Sequence, residues 1–235
     1  MTAKAEQSLF ENNSSFIIKT NKVTGSSMDE KDMRFGASPS NPLLIVISGP
    51  SGIGKDAVVG LLRKTNTDTH FVITMNSRPP RPDEVEGKDY FFVTREEFEA
   101  KIEAGELIEY AKVYSDYKGI PKSQVREAFA SGKDVIMRLD VQGAMTIRNL
   151  CPQAILIFLT ASSREEWINR LLERRSETFE EVELRLQVAA KEYELIDQFD
   201  YLVVNSDRHL DQTIADIQAI IRAEHLKTCP RKVEL

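Results

Sequence analysis

The chain has 235 residues, with 31 Lys plus Arg against 37 Asp plus Glu and a net charge of −6. That length suits one α/β domain with inserted subdomains and is short for two independent ones. The acidic balance argues against general nucleic-acid binding, and no apolar run approaches the roughly 20 residues that cross a bilayer, so no nucleic acid and no membrane is expected as a partner. Cys151 and Cys229 lie far apart without metal-type spacing and read as structural or incidental thiols of a soluble protein in a reducing compartment.

Residues 1–41 are rich in Ser, Asn, Thr and Lys and hold one short apolar cluster at 16–18, which predicts a flexible N-terminal tail. The acids Glu6, Glu11, Asp29, Glu30 and Asp32 are many for an organelle presequence, so a targeting remnant and a plain tail both stay open. Residues 43–48 form a continuous apolar run rich in β-branched side chains, and similar runs recur at 135–139, 154–159 and 201–204. Such runs suit a parallel sheet covered on both faces. Between them lie amphipathic helical patterns: Val182, Leu186, Ala189 and Tyr193, then Leu210, Ile214, Ile217 and Ile221. Thr94 with Glu97, Ser163 with Glu166 and Thr178 with Glu181 have capping-box spacing. Strands alternating with helices imply right-handed βαβ units.

The interval 76–121 breaks this rhythm. Pro79, Pro80 and Pro82 open it, and short strand-like runs follow at 90–93 and 108–114, which predicts an inserted, partly antiparallel subdomain. Residues 173–177 are charged, include adjacent Arg174 and Arg175, and separate two helices, as a lid would.

The segment Gly49-Pro50-Ser51-Gly52-Ile53-Gly54-Lys55 follows a predicted strand and precedes a helical pattern, the context a Walker A phosphate loop requires. Its glycines let successive N–H groups face phosphates, the helix N-terminus adds partial positive charge, and Lys55 reaches the terminal phosphates. The Ser or Thr that usually follows the lysine and helps hold magnesium is Asp56 here. Asp56 reads equally as a magnesium ligand or as an acid favoured by the helix dipole. Asp140-Val141-Gln142-Gly143 has a GTPase-like Asp-x-x-Gly, but no Asn-Lys-x-Asp guanine-reading motif follows it, which disfavours a GTPase.

Over nearly all of residues 42–228 the chain resembles the guanylate kinase family. The resemblance is carried by the phosphate loop, by Ser77-Arg78-Pro79-Pro80-Arg81-Pro82, by Gly87-Lys88-Asp89-Tyr90-Phe91-Phe92, by Gly105-Glu106-Leu107-Ile108-Glu109, by Asp140-Val141-Gln142-Gly143 and by residues 170–177. Gly54-Lys55-Asp56 and Tyr117-Lys118-Gly119-Ile120-Pro121 look most like the plant organellar branch. The resemblance implies an α/β P-loop NTPase fold with a parallel central sheet, a GMP-binding insert at 76–121 between core segments 42–75 and 122–228, a helical lid at about 170–185, and a C-terminal tail at 229–235. It implies ATP:GMP phosphotransfer supported by Mg2+, in a chloroplast or mitochondrion, with the cytoplasm as the alternative.

Residue by residue, the resemblance assigns ATP to Gly49 through Asp56 and to Asn205, and the phosphate of GMP to Arg78, Arg81 and Tyr90. Guanidinium forks and a phenol suit phosphate oxygens chemically. Glu109 resembles the guanine-reading acid, able to accept from N1–H and the N2 amine, with Thr74 as a hydroxyl at the base pocket. Arg170, Arg174 and Arg185 resemble lid arginines, and Lys55 with Arg78 completes the expected catalytic set. Asp140, with Asp56, is expected near magnesium and the GMP site.

The chain also departs from the family pattern. A phosphate-holding tyrosine is Lys118, a base-pocket hydroxyl is Ile120, and a second carboxylate is Arg138, whose partner the sequence leaves undecided. Lys118 retains a point charge for phosphate, and a pocket for guanine plus phosphate admits guanosine tetraphosphate as an inhibitor. A monomer or weak dimer is expected. Two alternatives stay open: a guanylate-kinase-like protein-binding module without catalysis, and a kinase for another nucleoside monophosphate.

Overall fold

The computed structural model describes residues 41–66, 68–82, 84–113, 115–172 and 179–233. The elements in chain order are β1 (Leu44–Ser48), α1 (Lys55–Thr65), β2 (Thr69–Phe71), β3 (Thr74–Asn76), β4 (Tyr90–Phe92), α2 (Arg95–Glu103), β5 (Leu107–Val113), β6 (Asp116–Pro121) and α3 (Lys122–Ala130). They continue with β7 (Asp134–Arg138), α4 (Val141–Leu150), β8 (Ile155–Thr160), α5 (Arg164–Leu172), α6 (Phe179–Tyr193), β9 (Tyr201–Val204) and α7 (Leu210–His225).

The larger sheet has the order β2-β7-β1-β8-β9, and every pairing in it is parallel. β1 is central and all five of its residues are buried. Because successive side chains leave a strand on opposite faces, its apolar run divides between two cores. Ile45 and Ile47 pack with α1, α5 and α7 through Val58, Leu62, Trp167, Leu171, Ile214 and Ile217. Leu44 and Val46 pack on the other face with α3 and α4 through Val125, Ala128, Ala144 and Ile147. This covering of both faces is why β1, β7 and β8 read as continuous apolar runs rather than alternating ones.

The second sheet has the order β4-β3-β6-β5, with β3 and β4 parallel and the β3–β6 and β5–β6 pairs antiparallel. One face carries Met75 and Leu107 against Phe98 of α2, which is closed at its start by a complete Thr94–Glu97 capping box. The other face sets Asn76 of β3 and Ala111 of β5 opposite Lys118 of β6, with Thr74 and Glu109 on the same side by the period of two. β3 starts at Thr74, so Thr74 and Met75 pair within this sheet although they precede residue 76.

The Ser163 box is only half formed. Ser163 Oγ accepts from Glu166 N at 3.1 Å, while the Glu166 carboxylate takes Asp207 N at 2.5 Å and pairs with Arg170. Thr178, Arg174, Arg175, the expected lid tip and residues 1–40 lie outside the described residues. No described helix is long and apolar enough to cross a membrane.

Candidate active site

The phosphate loop leaves the C-terminal end of β1 and runs into α1, where ligand crevices of parallel sheets open. Its conformation rests on glycines at close approaches. Gly49 has φ +141°, and a Cβ there would lie 2.4 Å from the carbonyl of Leu159 on β8. Gly54 has φ +93° as the N-cap of α1, and a Cβ there would lie 2.5 Å from the Asn205 amide.

The loop carbonyls are taken up by side-chain donors. Lys55 Nζ donates to Gly49 O at 2.5 Å and Pro50 O at 2.9 Å, and Trp167 Nε1 donates to Ser51 O at 2.8 Å. Asn205 Nδ2 and Arg170 Nη1 donate to Ile53 O at 2.8 and 3.3 Å. With these oxygens engaged, the loop N–H groups and the start of α1 are what the loop offers an anion.

Around the loop opens a cleft of about 520 Å³. It brings together Gly49, Ser51, Gly52, Ile53, Gly54, Lys55 and Asp56 with Thr74, Arg78, Arg81, Tyr90, Glu109, Lys118, Asp140 and Arg185. Pro50, Arg170 and Asn205 do not line it. Arg170 instead donates to Asp207 Oδ1 and Asn205 O, each at 2.7 Å, and Asn205 also accepts from Thr213 Oγ1 at 3.1 Å. Arg170, expected on a lid, and Asn205, expected at adenine, are therefore braces of the loop here. Arg185 Nη1 meets Ser51 Oγ at 2.5 Å.

On the side of the small sheet, Arg78 forms a fork with Glu84 at 2.7 and 2.5 Å, and its guanidinium lies 5.3 Å from the Tyr90 ring centroid. Arg81 is largely exposed and 4.0 Å from the same carboxylate. Glu109 is buried at the cleft wall, where burial and then the nearby Asp140 push its carboxyl up to about 7. A Cβ on Gly143 would sit 3.1 Å from Glu109 Oε1, so the absence of a side chain there leaves room for the acid. Asp140 caps α4 through Oδ1, which accepts from Gly143 N at 2.8 Å.

Burial pulls the Lys55 ammonium down to about 8, against the raising influence of Glu192, Asp140 and Asp56. Burial likewise lowers Lys118 and pushes Glu192 up to about 7, the latter opposed by Lys55. Asp56, expected at magnesium, pairs with Arg138 at 2.5 Å.

Asn76 and Glu192 in the cleft, and Glu84, which pairs with Arg78, escaped the sequence reading. Asn76 is fully buried, and its Oδ1 accepts from Arg78 N at 3.2 Å, which orients the amide and leaves Nδ2 without a partner among the described residues. Glu192 has a buried Oε2 without a partner among the described residues and lines the cleft from α6. Its signal was available, since Glu192 lies three residues after Ala189 on the apolar stripe. Glu84 carried no signal beyond its closeness to the arginines.

The family model "Guanylate kinase" matches residues 41–224. A relative from Oryza sativa subsp. japonica, "Guanylate kinase 2, chloroplastic/mitochondrial", is 47% identical over 200 residues, covering 85% of this chain and 70% of its own length. A guanylate kinase from Halalkalibacterium halodurans is 43% identical over 185 residues, covering 79% of this chain and 90% of its own. The crystal structure of guanylate kinase from Anaplasma phagocytophilum superposes with a TM-score of 0.66 at 30% identity, covering 81% of this chain and 89% of that one. With the phosphate loop, the two sheets and the cleft between them, these likenesses establish that the chain belongs to the guanylate kinase family.

Proposed function

We propose that this guanylate kinase transfers the γ-phosphate of ATP to GMP across the cleft, with the donor on the phosphate loop and the acceptor against the small sheet. The observation that carries this reading is the meeting, in one cleft, of Lys55 and the loop with Glu109, Thr74, Arg78, Arg81 and Tyr90. The loop N–H groups and Lys55 take the donor phosphates, and Lys55 leaves the Gly49 and Pro50 carbonyls to do so. Glu109 accepts from guanine N1–H and the N2 amine, a pair adenine lacks. Thr74 and the orphan Nδ2 of Asn76 add polar contacts at the base. Arg78, Arg81, Tyr90 and Lys118 hold the acceptor phosphate.

No general base is needed, because the second pKa of a phosphate monoester is about 6 and the attacking oxygen is already largely ionised at pH 7. The chain's task is to bring two anions into line and stabilise the charge between them, which falls to Lys55, Arg78, Arg185 and, from the segment beyond the described residues, Arg174. Arg170 then acts by bracing the loop.

Among the described residues no three acids or other ligands cluster as a metal cage. That suits Mg2+ carried by ATP, which keeps several waters and uses one or two carboxylates. Asp140, with one oxygen free of its capping bond, and Glu192, with its unpartnered Oε2, are the residues that would hold it. The ion supplies charge neutralisation of the donor phosphates.

Release of ADP, followed with GMP, AMP, CMP, UMP and dTMP in turn, tests the reading. Turnover with GMP above all others is expected, and equal turnover with AMP overturns the role of Glu109. Lys118 in the cleft also supports competition by guanosine tetraphosphate, checked as inhibition competitive with GMP. The printed name of the rice relative supports a plastid or mitochondrial location, checked by imaging a fluorescent fusion of the full chain.

A further inference from the structure

Asp56 and Arg138 are 82 positions apart in the chain, and each was left without a settled role by the sequence. They meet at 2.5 Å, Arg138 Nη1 donating to Asp56 Oδ1. Asp56 belongs to the first turn of α1, beside Lys55 and the donor loop. Arg138 ends β7 and lines the cleft on the acceptor side. The pair therefore spans the junction where the two substrates must meet.

Three contacts fix the Arg138 guanidinium. Besides the Asp56 bond, Nη2 donates to the Asp89 carbonyl at 3.2 Å, and the group lies 4.5 Å from the Tyr90 ring centroid. Arg78 approaches that same ring at 5.3 Å. Two guanidinium groups thus converge on one cleft phenol. Two of the five N–H donors of Arg138 are engaged by described residues in this way. The remaining donors belong to a side chain that lines the cleft.

Exposure shows which partner depends on the other. The Asp56 side chain is 57% exposed and would be solvated alone, whereas Arg138 is 14% exposed and has Asp56 as its carboxylate among the described residues. Because the Asp56 end is open to water, the pair is screened and contributes little stability, so its worth is positional.

We propose that Arg138 is a ligand for the acceptor's phosphate and that Asp56 is its positioning residue, so that the pair ties the donor loop to the acceptor site. This rests on the reading that the cleft takes GMP.

The test compares wild type, Arg138→Met, Arg138→Lys, Asp56→Asn and the Asp56→Asn/Arg138→Met double variant, each checked for wild-type thermal unfolding. Measured are KM for GMP and ATP, and Ki of guanosine against GMP phosphorylation. Losing a charged hydrogen bond to phosphate should raise KM for GMP by about 10-fold to 100-fold in Arg138→Met, with Arg138→Lys in between. KM for ATP and Ki of guanosine should stay within about twofold, since the nucleoside has no phosphate to lose. Asp56→Asn should weaken GMP by a smaller factor, and the double variant should be no worse than Arg138→Met. An unchanged KM for GMP in Arg138→Met overturns the proposal. So does a parallel loss of guanosine and ATP affinity, which marks a merely structural arginine. Multiplying effects in the double variant would remove Asp56 as the positioning residue. Failure of wild type to use GMP would instead sink the reading of the cleft itself.

Discussion

Glu109 gives the most direct test of the acceptor site, because its carboxyl is pushed up to about 7 by burial and Asp140. Only the ionised form accepts from both N1–H and the N2 amine of guanine. A raised carboxyl pKa means that the acid is neutral, and a poor guanine reader, below about 7. At pH 6 about one free site in 11 would be ionised and at pH 8 about ten in 11, so kcat/KM for GMP should fall roughly tenfold between them. The phosphate of GMP itself titrates near about 6 and adds roughly a further factor of two at pH 6.

Glu109→Gln separates the two contributions. It should lose about 10-fold to 100-fold in kcat/KM for GMP at pH 8, as loss of a charged hydrogen-bonding partner does. Its profile should keep only the shallow limb of the phosphate. The assay is initial rate at saturating ATP and limiting GMP from pH 5.5 to 8.5. If Glu109→Gln retained the steep limb near 7, the carboxylate would not be the titrating group, and the assignment of guanine to this wall would fail.

Three further outcomes follow from the same geometry. Lys55 is drawn down to about 8 by burial, so its ammonium is lost above that pH; kcat/KM for ATP at saturating GMP should decline above about pH 8, and a flat profile to pH 9.5 would contradict the buried lysine. Gly143→Ala places a methyl group 3.1 Å from Glu109 Oε1 inside α4, so KM for GMP should rise about threefold to tenfold while helix propensity raises thermal stability; equal loss of both would point to a general disturbance. Fully buried Glu224 is held down at about 2, burial being outweighed by bonds from Arg231, Lys227 and Tyr201. Because that pKa is depressed, the stability it contributes is present above the unfolded value of 4.5 and is lost as pH falls toward about 2. Glu224→Gln should cost up to about 3 kcal/mol at pH 7 by urea unfolding, and the gap to wild type should close between about pH 4.5 and 2.

What the sequence made legible was whatever has a local signature. β1, β7 and β8 are covered on both faces, so burial wrote itself as continuous apolar runs, and the loop's glycines are dictated by backbone approach rather than by distant partners. β2 passed unread because three half-buried residues at a sheet edge make no pattern. Arg170 and Asn205 read as ligands from their chemistry, and what the sequence did not show is that each donates to Ile53 O, a contact across more than 100 positions that no spacing rule encodes. The pairing of Asp56 with Arg138 was illegible for the same reason, as was the fork between Arg78 and Glu84. Side-chain type announces chemistry; only the fold decides whether a charge faces a substrate or another residue.

The charge of the cleft reconciles an acidic chain with two anionic substrates. Seven cationic side chains line it: Lys55, Arg78, Arg81, Lys112, Lys118, Arg138 and Arg185. Five acids stand among them: Asp56, Glu109, Asp116, Asp140 and Glu192. Counted at full ionisation the lining is thus positive by two while the whole chain carries a formal −6. A polyanion without the right shape meets a repelling surface, whereas one that enters the cleft meets an attracting one. The interspersed acids keep this excess small. Asp56 engages Arg138 and Glu192 interacts with Lys55, so two cations already have counter-charges before substrate arrives. Phosphate entering the site takes over part of each cation's interaction instead of meeting bare charge, which limits the affinity for any one anion. A site that must release ADP and GDP at every turnover gains from that limit, because tighter ground-state binding of phosphate would slow release without lowering the barrier to transfer.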